Sequence, residues 1–166
     1  MTRETFKNKV YDLSVIAGMN QRYHQTQQNW WWWWDTGAKI VTAVAAIIGL
    51  SLGIVSALVA AWPFVDWLGV ALSFVAAVAA IVLNVVPFGA WESKSADFLR
   101  RWSDLREEID ALDYDLAESM PPSPSMIQAL KQCEAKSERL HGSETLANQT
   151  LLDKCLAAEE RSRGEP

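Results

Sequence analysis

The sequence predicts an all-α membrane protein with a two-helix transmembrane hairpin, long cytoplasmic antiparallel helical extensions and a C-terminal helical pair. Three observations predict this fold. Between Ile40 and Trp91 the chain carries a single charged residue, Asp66, whereas both flanks are rich in charged residues. In both flanks, apolar residues recur every third or fourth position, as in a packed helix. Proline and glycine then divide the last part of the chain into shorter helices.

The N-terminal flank, residues 1–39, is predicted to be one cytoplasmic helix that begins near residue 3 and ends in a tryptophan run. Its seam residues follow a coiled-coil-like spacing. They are Phe6, Val10, Leu13, Ala17, Asn20 and His24.

The stretch QQNWWWWWDTGAK contains five consecutive tryptophans, at residues 30–34. A helix turns about 100° per residue, so these rings point in every direction and cannot form one buried face. A helix that crosses the membrane–water boundary is surrounded by headgroups, where tryptophan is favoured. We therefore interpret the run as a collar that fixes membrane depth; a ligand-stacking platform is the alternative. The predicted interfacial anchors are Trp30, Trp31, Trp32, Trp33, Trp34, Trp62, Trp67 and Trp91.

The transmembrane hairpin is predicted over residues 40–90. Residues 40–62 and 67–88 each approach the roughly 20 apolar residues that span a bilayer as a helix. Residues 63–66, with the sequence PFVD, are predicted to form the tight turn between them.

Each span carries a stripe of small residues. Ala45, Gly49, Gly53 and Ala57 recur every fourth residue and let helix backbones approach closely in lipid, within the hairpin or between subunits. On the second span the candidate pore-lining residues are Ser73, Ala77, Ala80 and Asn84. The amide of Asn84 needs a partner or water in hydrocarbon, so it serves either as interhelical glue or as the lining of a wet pathway.

The C-terminal flank, residues 91–166, begins with a second long helix over about residues 90–119. Its acidic surplus complements the basic surplus of residues 1–39. Ser123 or Ser125 is predicted to cap a third helix that Gly142 stops, Ser143 a fourth, and the tail EERSRGEP is expected to fray. The second seam consists of Phe98, Trp102, Leu105, Ile109, Leu112 and Leu116.

The charge distribution predicts that both termini are cytoplasmic. Arg and Lys residues flank the spans on the terminal side and are missing from the turn, as the positive-inside rule requires. The first 35 residues lack a basic region followed by an apolar one, so no cleavable signal peptide is expected. Cys133 and Cys155 then lie in a reducing compartment, where a disulfide is not expected.

The residues that could catalyse a reaction or bind a metal form no pattern that predicts an enzyme. His24 and His141 have no metal-type spacing with the cysteines, and no glycine-rich phosphate loop or nucleic-acid motif is present, so no catalytic residue, metal or cofactor is predicted. One cluster is a candidate contact for an anion, a nucleotide or a lipid headgroup, although positive-inside anchoring also explains it. It comprises Arg22, Tyr23, His24, Arg100 and Arg101.

The layout resembles the SLATT domain family over about residues 5–119. The residues that carry the resemblance are NQRYHQTQQNW before the first span and WESKSADFLRRWSDLREEIDAL after the second. The resemblance implies a bacterial inner-membrane effector of anti-phage or nucleotide-signalling systems, which assembles into a channel or pore. It also implies a partner protein that generates or senses a nucleotide.

We therefore expect a homo-oligomeric ion channel, for which a tetramer is one suitable assembly, because a single hairpin cannot enclose a pore. Its apolar lumen would stay closed by dewetting until the cytoplasmic helices shift. The alternatives are a non-conducting membrane anchor that recruits a soluble partner, and a holin-like protein.

Overall fold

The computed structural model describes residues 1–58, 63–118, 121–144 and 148–164, with the side chains of 53–58, 63–66 and 117–118 left aside. These residues contain five α-helices and no strand, which confirms the all-α prediction. The helices are α1 (Arg3–Leu58), α2 (Pro63–Val85), α3 (Phe88–Glu118), α4 (Pro124–Ser143) and α5 (Gln149–Ser162).

The chain divides into two compact units. Residues 1–27 and 94–166 form the first, which we call the core unit, and residues 28–93 form the second, which we call the apolar unit. Helix α1 belongs to both units, because it continues without interruption from the predicted first arm into the predicted first span. No proline occurs before residue 63, so nothing removes a backbone donor along this length.

Both predicted seams are buried in the core unit, where α1 and α3 pack in opposite directions. Ser14 lies 3.5 Å from Asp110, whereas the His24 ring stacks on Phe98 at 5.0 Å. Helix α4 adds apolar side chains to the same cluster. The buried apolar residues are Phe6, Val10, Leu13, Ala17, Phe98, Trp102, Leu105, Ile109, Leu112, Leu116, Met126, Leu130 and Cys133.

Prolines set two helix boundaries differently from the prediction. Helix α2 begins at Pro63, so the prediction of a tight turn at residues 63–66 is wrong. A proline in the first helical turn lacks only an N–H that the helix does not use there. Helix α2 ends at Val85, before the predicted limit at Phe88, because Pro87 disfavours helical geometry at Val86.

The end of α4 and the start of α5 differ from the prediction. Ser123 caps α4, as predicted, by accepting a hydrogen bond from the Met126 N–H. The helix passes through Gly142 to Ser143, whose hydroxyl donates to the Leu140 carbonyl at 2.8 Å. Ser143 is therefore no N-cap, and the cap of α5 is Asn148. The expectation of a frayed tail is also wrong up to Ser162, where α5 ends.

Candidate functional site

Three consecutive residues of α1 each hold a different point of the C-terminal segment, which we define as the described part of residues 144–163. The Arg22 Nε donates to a carboxylate oxygen of Glu159 at 2.7 Å. The Tyr23 hydroxyl accepts a hydrogen bond from the Asn148 N–H at 2.9 Å. The His24 Nε2 lies 3.0 Å from a carboxylate oxygen of Glu144. The tripeptide therefore fixes the end of α4 and both the start and the end of α5.

Glu159 is the most enclosed charge in the described part of the core unit. Its side chain is 0% exposed and lies among three guanidinium groups, which we call the arginine cage: Arg22 at 2.7 Å, Arg106 at 3.1 Å and Arg163 at 3.1 Å. Gly18 of α1 provides the space, since a methyl group there would overlap the Glu159 carboxylate. The glycine at this position lets a carboxylate of α5 approach the backbone of α1 closely.

The cage keeps Glu159 ionised. Burial alone would raise the pKa of this carboxyl, but the Arg22 hydrogen bond, the Arg106 charge and the Arg163 hydrogen bond together lower it below its ordinary value. Charge-assisted hydrogen bonds to several guanidinium donors favour the carboxylate form. The site therefore holds a buried negative charge that depends on its three cations.

Glu144 forms a second polar site beside buried aromatic rings. Its carboxylate accepts a hydrogen bond from the Trp102 Nε1 at 2.8 Å and faces His24. Burial alone would raise the pKa of this carboxyl, but the hydrogen bonds of His24 and Trp102, together with the charges of His24 and His141, lower it below its ordinary value. The His141 ring meets Trp102 edge-on at 5.1 Å. This site anchors the C-terminal end of α4 on α1 and α3.

The five residues of the predicted anion cluster have different surroundings. Arg22, Tyr23 and His24 are engaged by the C-terminal segment, and the His24 side chain is only 5% exposed. Its Nδ1 is buried and has no hydrogen-bond partner among the described residues. Arg100 is exposed, and the exposed Arg101 pairs with Asp97 on its own helix at 2.8 Å. An anion in solution therefore reaches Arg100 and Arg101 directly, but not His24.

The sequence alone does not predict that the Glu159 carboxylate lies in the arginine cage. The charge pattern around three cage residues is that of a solvated helix face; these residues are Glu159, Arg106 and Arg163. The sequence also predicts that the tail frays. One signal was available: Gly18 interrupts a good helical pattern next to the buried seam, and such a glycine indicates close approach by another group.

The collar tryptophans of the apolar unit divide into one inward ring and four outward ones. Trp31 packs against Trp91 at a ring distance of 4.6 Å and against Phe88 at 6.2 Å. The other four collar rings are exposed: Trp30 by 57%, Trp32 by 45%, Trp33 by 68% and Trp34 by 53%. Trp67 is 75% exposed and Trp91 39%. The predicted anchor Trp62 lies outside the described residues.

The small-residue stripe of α1 faces α2 of the same chain. A methyl group built on Gly49 would lie 3.4 Å from the Ser73 Oγ, and one on Gly69 would lie 3.9 Å from the Leu52 Cβ. Ala45 is 5% exposed. The surroundings of Gly53 and Ala57 lie outside the described part. Of the two partners considered for this stripe, the described contacts therefore favour the one within the chain.

The candidate pore-lining residues lie on a largely exposed face of α2, and Ser73 on that face borders Gly49 of α1. Ser73, Ala77 and Asn84 are exposed and Ala80 is half-buried. The Asn84 amide nitrogen donates to the Ala80 carbonyl at 2.9 Å, within its own helix. An exposed amide therefore lies on a helix whose apolar stretch has a mean hydropathy of 2.4.

Comparison with known proteins adds no assignment. Neither a family model, nor a curated protein, nor a solved structure matches the chain. Among the described residues, no group of three or more His, Cys, Asp or Glu side chains is arranged to hold a metal ion. The function is therefore inferred from the two units themselves.

Proposed function

We propose that the protein is a homo-oligomeric ion channel or pore-forming effector of the bacterial inner membrane, gated through its cytoplasmic helices. The observation that carries the proposal is the exposure of the apolar unit. Among the described residues, two helices are long and apolar enough to cross a membrane, and only 6% and 0% of their most apolar windows are buried. Helices that expose apolar side chains on all sides require lipid or further copies of themselves.

The proposed topology is a hairpin with both termini in the cytoplasm. The Gly49–Ser73 approach supports pairing of the two spans, and the absence of Arg and Lys from residues 59–66 supports an outer position for the stretch that joins them. Outward collar rings suit a headgroup layer, where an indole is apolar but keeps its N–H hydrated.

Conduction is proposed from the exposed face of α2. Within the apolar stretch of α2, residues 67–85, Asn84 presents the most polar side chain on the surface, and Ala77 and Ala80 leave room for another helix or for a narrow lumen. Copies arranged around this face would form an apolar pore with an Asn84 ring. The SLATT resemblance supports an anti-phage role in which a nucleotide-linked partner controls opening.

A non-conducting anchor is the second candidate, and one observation favours it. Gly49 is engaged with Ser73 inside the chain, so the first-span stripe needs no second subunit. The anchor would hold the core unit at the membrane for a soluble partner.

Ion flux from liposomes tests the proposal. The purified protein is compared with Asn84→Leu and with the control Ser51→Leu, which alters an exposed polar side chain on α1 instead of α2. We expect a potential-sensitive dye to report flux that Asn84→Leu changes by about tenfold and Ser51→Leu leaves near wild type; a barrier change of about 1.4 kcal/mol gives that factor. Equal flux in all three proteins removes Asn84 from the pathway. Tight liposomes at every nucleotide tested support the anchor.

A further inference from the structure

Helix α5 adds no residue to the buried apolar cluster of the core unit, and a buried charge is its main polar attachment. The buried apolar cluster takes its described residues from α1, α3 and α4. The buried side chains of α5 are Cys155 and Glu159. A helix of 14 residues is marginally stable by itself in water. Its docking therefore depends strongly on the contacts of the Glu159 carboxylate.

The arginine cage carries more positive charge than its occupant neutralises. Three guanidinium groups surround one carboxylate, and the partly exposed Asp110 lies 3.9 Å from Arg106. The cage side chains are also open to solvent, at 42% for Arg22, 31% for Arg106 and 21% for Arg163. A dissolved anion can thus approach these guanidinium groups while the carboxylate itself stays enclosed.

We propose that Arg22 and Arg106 form a phosphate-binding site, which α5 occupies with its own Glu159 carboxylate when no phosphate group is bound. The planar donors of arginine match the oxygens of phosphate as well as those of a carboxylate. When α5 undocks, Arg163 leaves with it, and a phosphate dianion neutralises the charges of the two remaining arginines, whereas the carboxylate neutralises one charge. Gly18 leaves room beside the Arg106 guanidinium group, whose Nη1 would lie 3.0 Å from a methyl group at that position. This inference does not depend on conduction.

Phosphate binding and α5 docking exclude each other in this scheme. The affinity for phosphate is therefore reduced by the fraction of molecules in which α5 is docked. Undocking also breaks the 2.8 Å hydrogen bond from Arg163 to the Ser14 hydroxyl. Helices α1 and α3 keep their apolar packing, so the two arginines remain in place for the anion.

Two native thiols report on this exchange. Cys155 lies on α5, where burial raises its thiol pKa against an opposing effect of Arg22. Cys133 is buried in the apolar cluster with α3 and α4. Undocking of α5 therefore exposes Cys155 to alkylation and leaves Cys133 protected.

The first experiment measures alkylation of each thiol by N-ethylmaleimide in the full chain in detergent, at fixed pH, by peptide mass spectrometry. We expect Glu159→Gln to accelerate Cys155 labelling about tenfold, because it removes buried charge-assisted hydrogen bonds. The matched control Glu160→Gln alters an exposed carboxylate one residue away and should leave the rate unchanged. Inorganic phosphate should accelerate wild-type Cys155 labelling saturably, and chloride at equal ionic strength should not.

The second experiment measures phosphate affinity by calorimetry. Glu159→Gln should bind inorganic phosphate at least about tenfold more tightly than wild type, since no carboxylate competes. Adding Arg106→Gln to that variant should abolish binding. Vesicles of phosphatidylcholine with and without phosphatidic acid identify the source: acceleration of Cys155 labelling by phosphatidic acid alone indicates a lipid headgroup, and acceleration by inorganic phosphate indicates a free ligand.

The proposal is overturned if neither inorganic phosphate nor phosphatidic acid accelerates Cys155 labelling beyond chloride, or if Arg106→Gln leaves phosphate affinity unchanged. If Glu159→Gln also exposes Cys133, the substitution has unfolded the core unit. The phosphate titration of the wild-type protein then decides, because it requires no substitution.

Discussion

Helix α1 buries its apolar residues in the core unit and exposes them in the apolar unit. In the part of α1 that belongs to the core unit, Phe6 and Val10 are 0% and 2% exposed; in the part that belongs to the apolar unit, Ile47 and Leu50 are 64% and 69% exposed. The backbone conformation is the same in both parts. The difference lies in the pattern, which places apolar residues on one stripe in the first part and on all sides in the second. Helix formation alone therefore does not indicate whether a segment packs on one side or is surrounded by an apolar environment. The distribution of apolar residues around the helix does indicate this.

The largest difference in stability is expected between two isoleucine truncations, one in each unit. Ile109 is 0% exposed in the core unit, and Ile81 is 62% exposed on α2. We expect Ile109→Ala to lower the free energy of unfolding by about 2–5 kcal/mol, because it leaves a cavity, and Ile81→Ala to lower it by less than about 1 kcal/mol. Urea unfolding in detergent, followed by circular dichroism, measures both. Similar losses would mean that the apolar unit packs as tightly as the core.

Two glycines on α1 provide the next test. A methyl group at Gly18 would overlap Glu159, whereas one at Gly37 would meet nothing within 4 Å. Gly18→Ala should therefore destabilise the core unit by about 1–3 kcal/mol through overpacking, and Gly37→Ala should stabilise its helix by about 0.5–1 kcal/mol. Thermal unfolding in the same detergent measures the two shifts, which should have opposite signs. If Gly18→Ala leaves the thermal stability unchanged, the Glu159 carboxylate does not lie against Gly18 in the folded protein.

Acid should release the C-terminal segment before the rest of the core unit. The pKa values of Glu159 and Glu144 are both lower in the folded chain than their ordinary value of 4.5. A lowered folded pKa contributes stability that is fully present above the unfolded value and is lost as the pH falls through the folded value. Hydrogen exchange of α5 amides, corrected for intrinsic rates, should therefore accelerate below pH 4.5 while α3 stays protected. Glu159→Gln should weaken this pH dependence.

The smallest effect is expected within the tryptophan collar. Trp31 contacts Trp91, whereas Trp33 is 68% exposed. Trp31→Phe should lower thermal stability by about 1 kcal/mol, because it weakens an aromatic pair, and Trp33→Phe should leave it unchanged. Melting curves in micelles provide the measurement. If Trp33→Phe is the more damaging substitution, the outward rings pack against something besides detergent.

The seams were predictable because their signal is local. Residues such as Trp102 and Leu105 fall on one helix face by spacing alone, and each is buried as expected. The polar sites were not predictable, since Glu159 meets Arg22 of α1 and Arg106 of α3 across long stretches of sequence. On a short amphipathic helix, a buried glutamate follows the same spacing as a solvated one.

The predictions of helix boundaries were wrong for a different reason. Ser143 and Asn148 are both good caps, and spacing does not choose between them. The structure selects Asn148, whose side chain accepts from the Leu151 N–H and whose own N–H donates to Tyr23. A contact with another helix thus decided a choice that the local sequence left open.

The discontinuity of the core unit has a consequence for the order of biosynthesis. Residues 1–27 are translated first, but their partners in α3, α4 and α5 emerge only after the whole of residues 28–93 has been made. During that interval the seam of α1 has no α3 to cover it, and the exposed apolar stretch of the second unit follows directly behind. Contacts between distant parts of a chain form late and leave apolar surface open to aggregation. Early capture of the nascent chain by a chaperone or by the insertion machinery would protect both surfaces until α3 is complete.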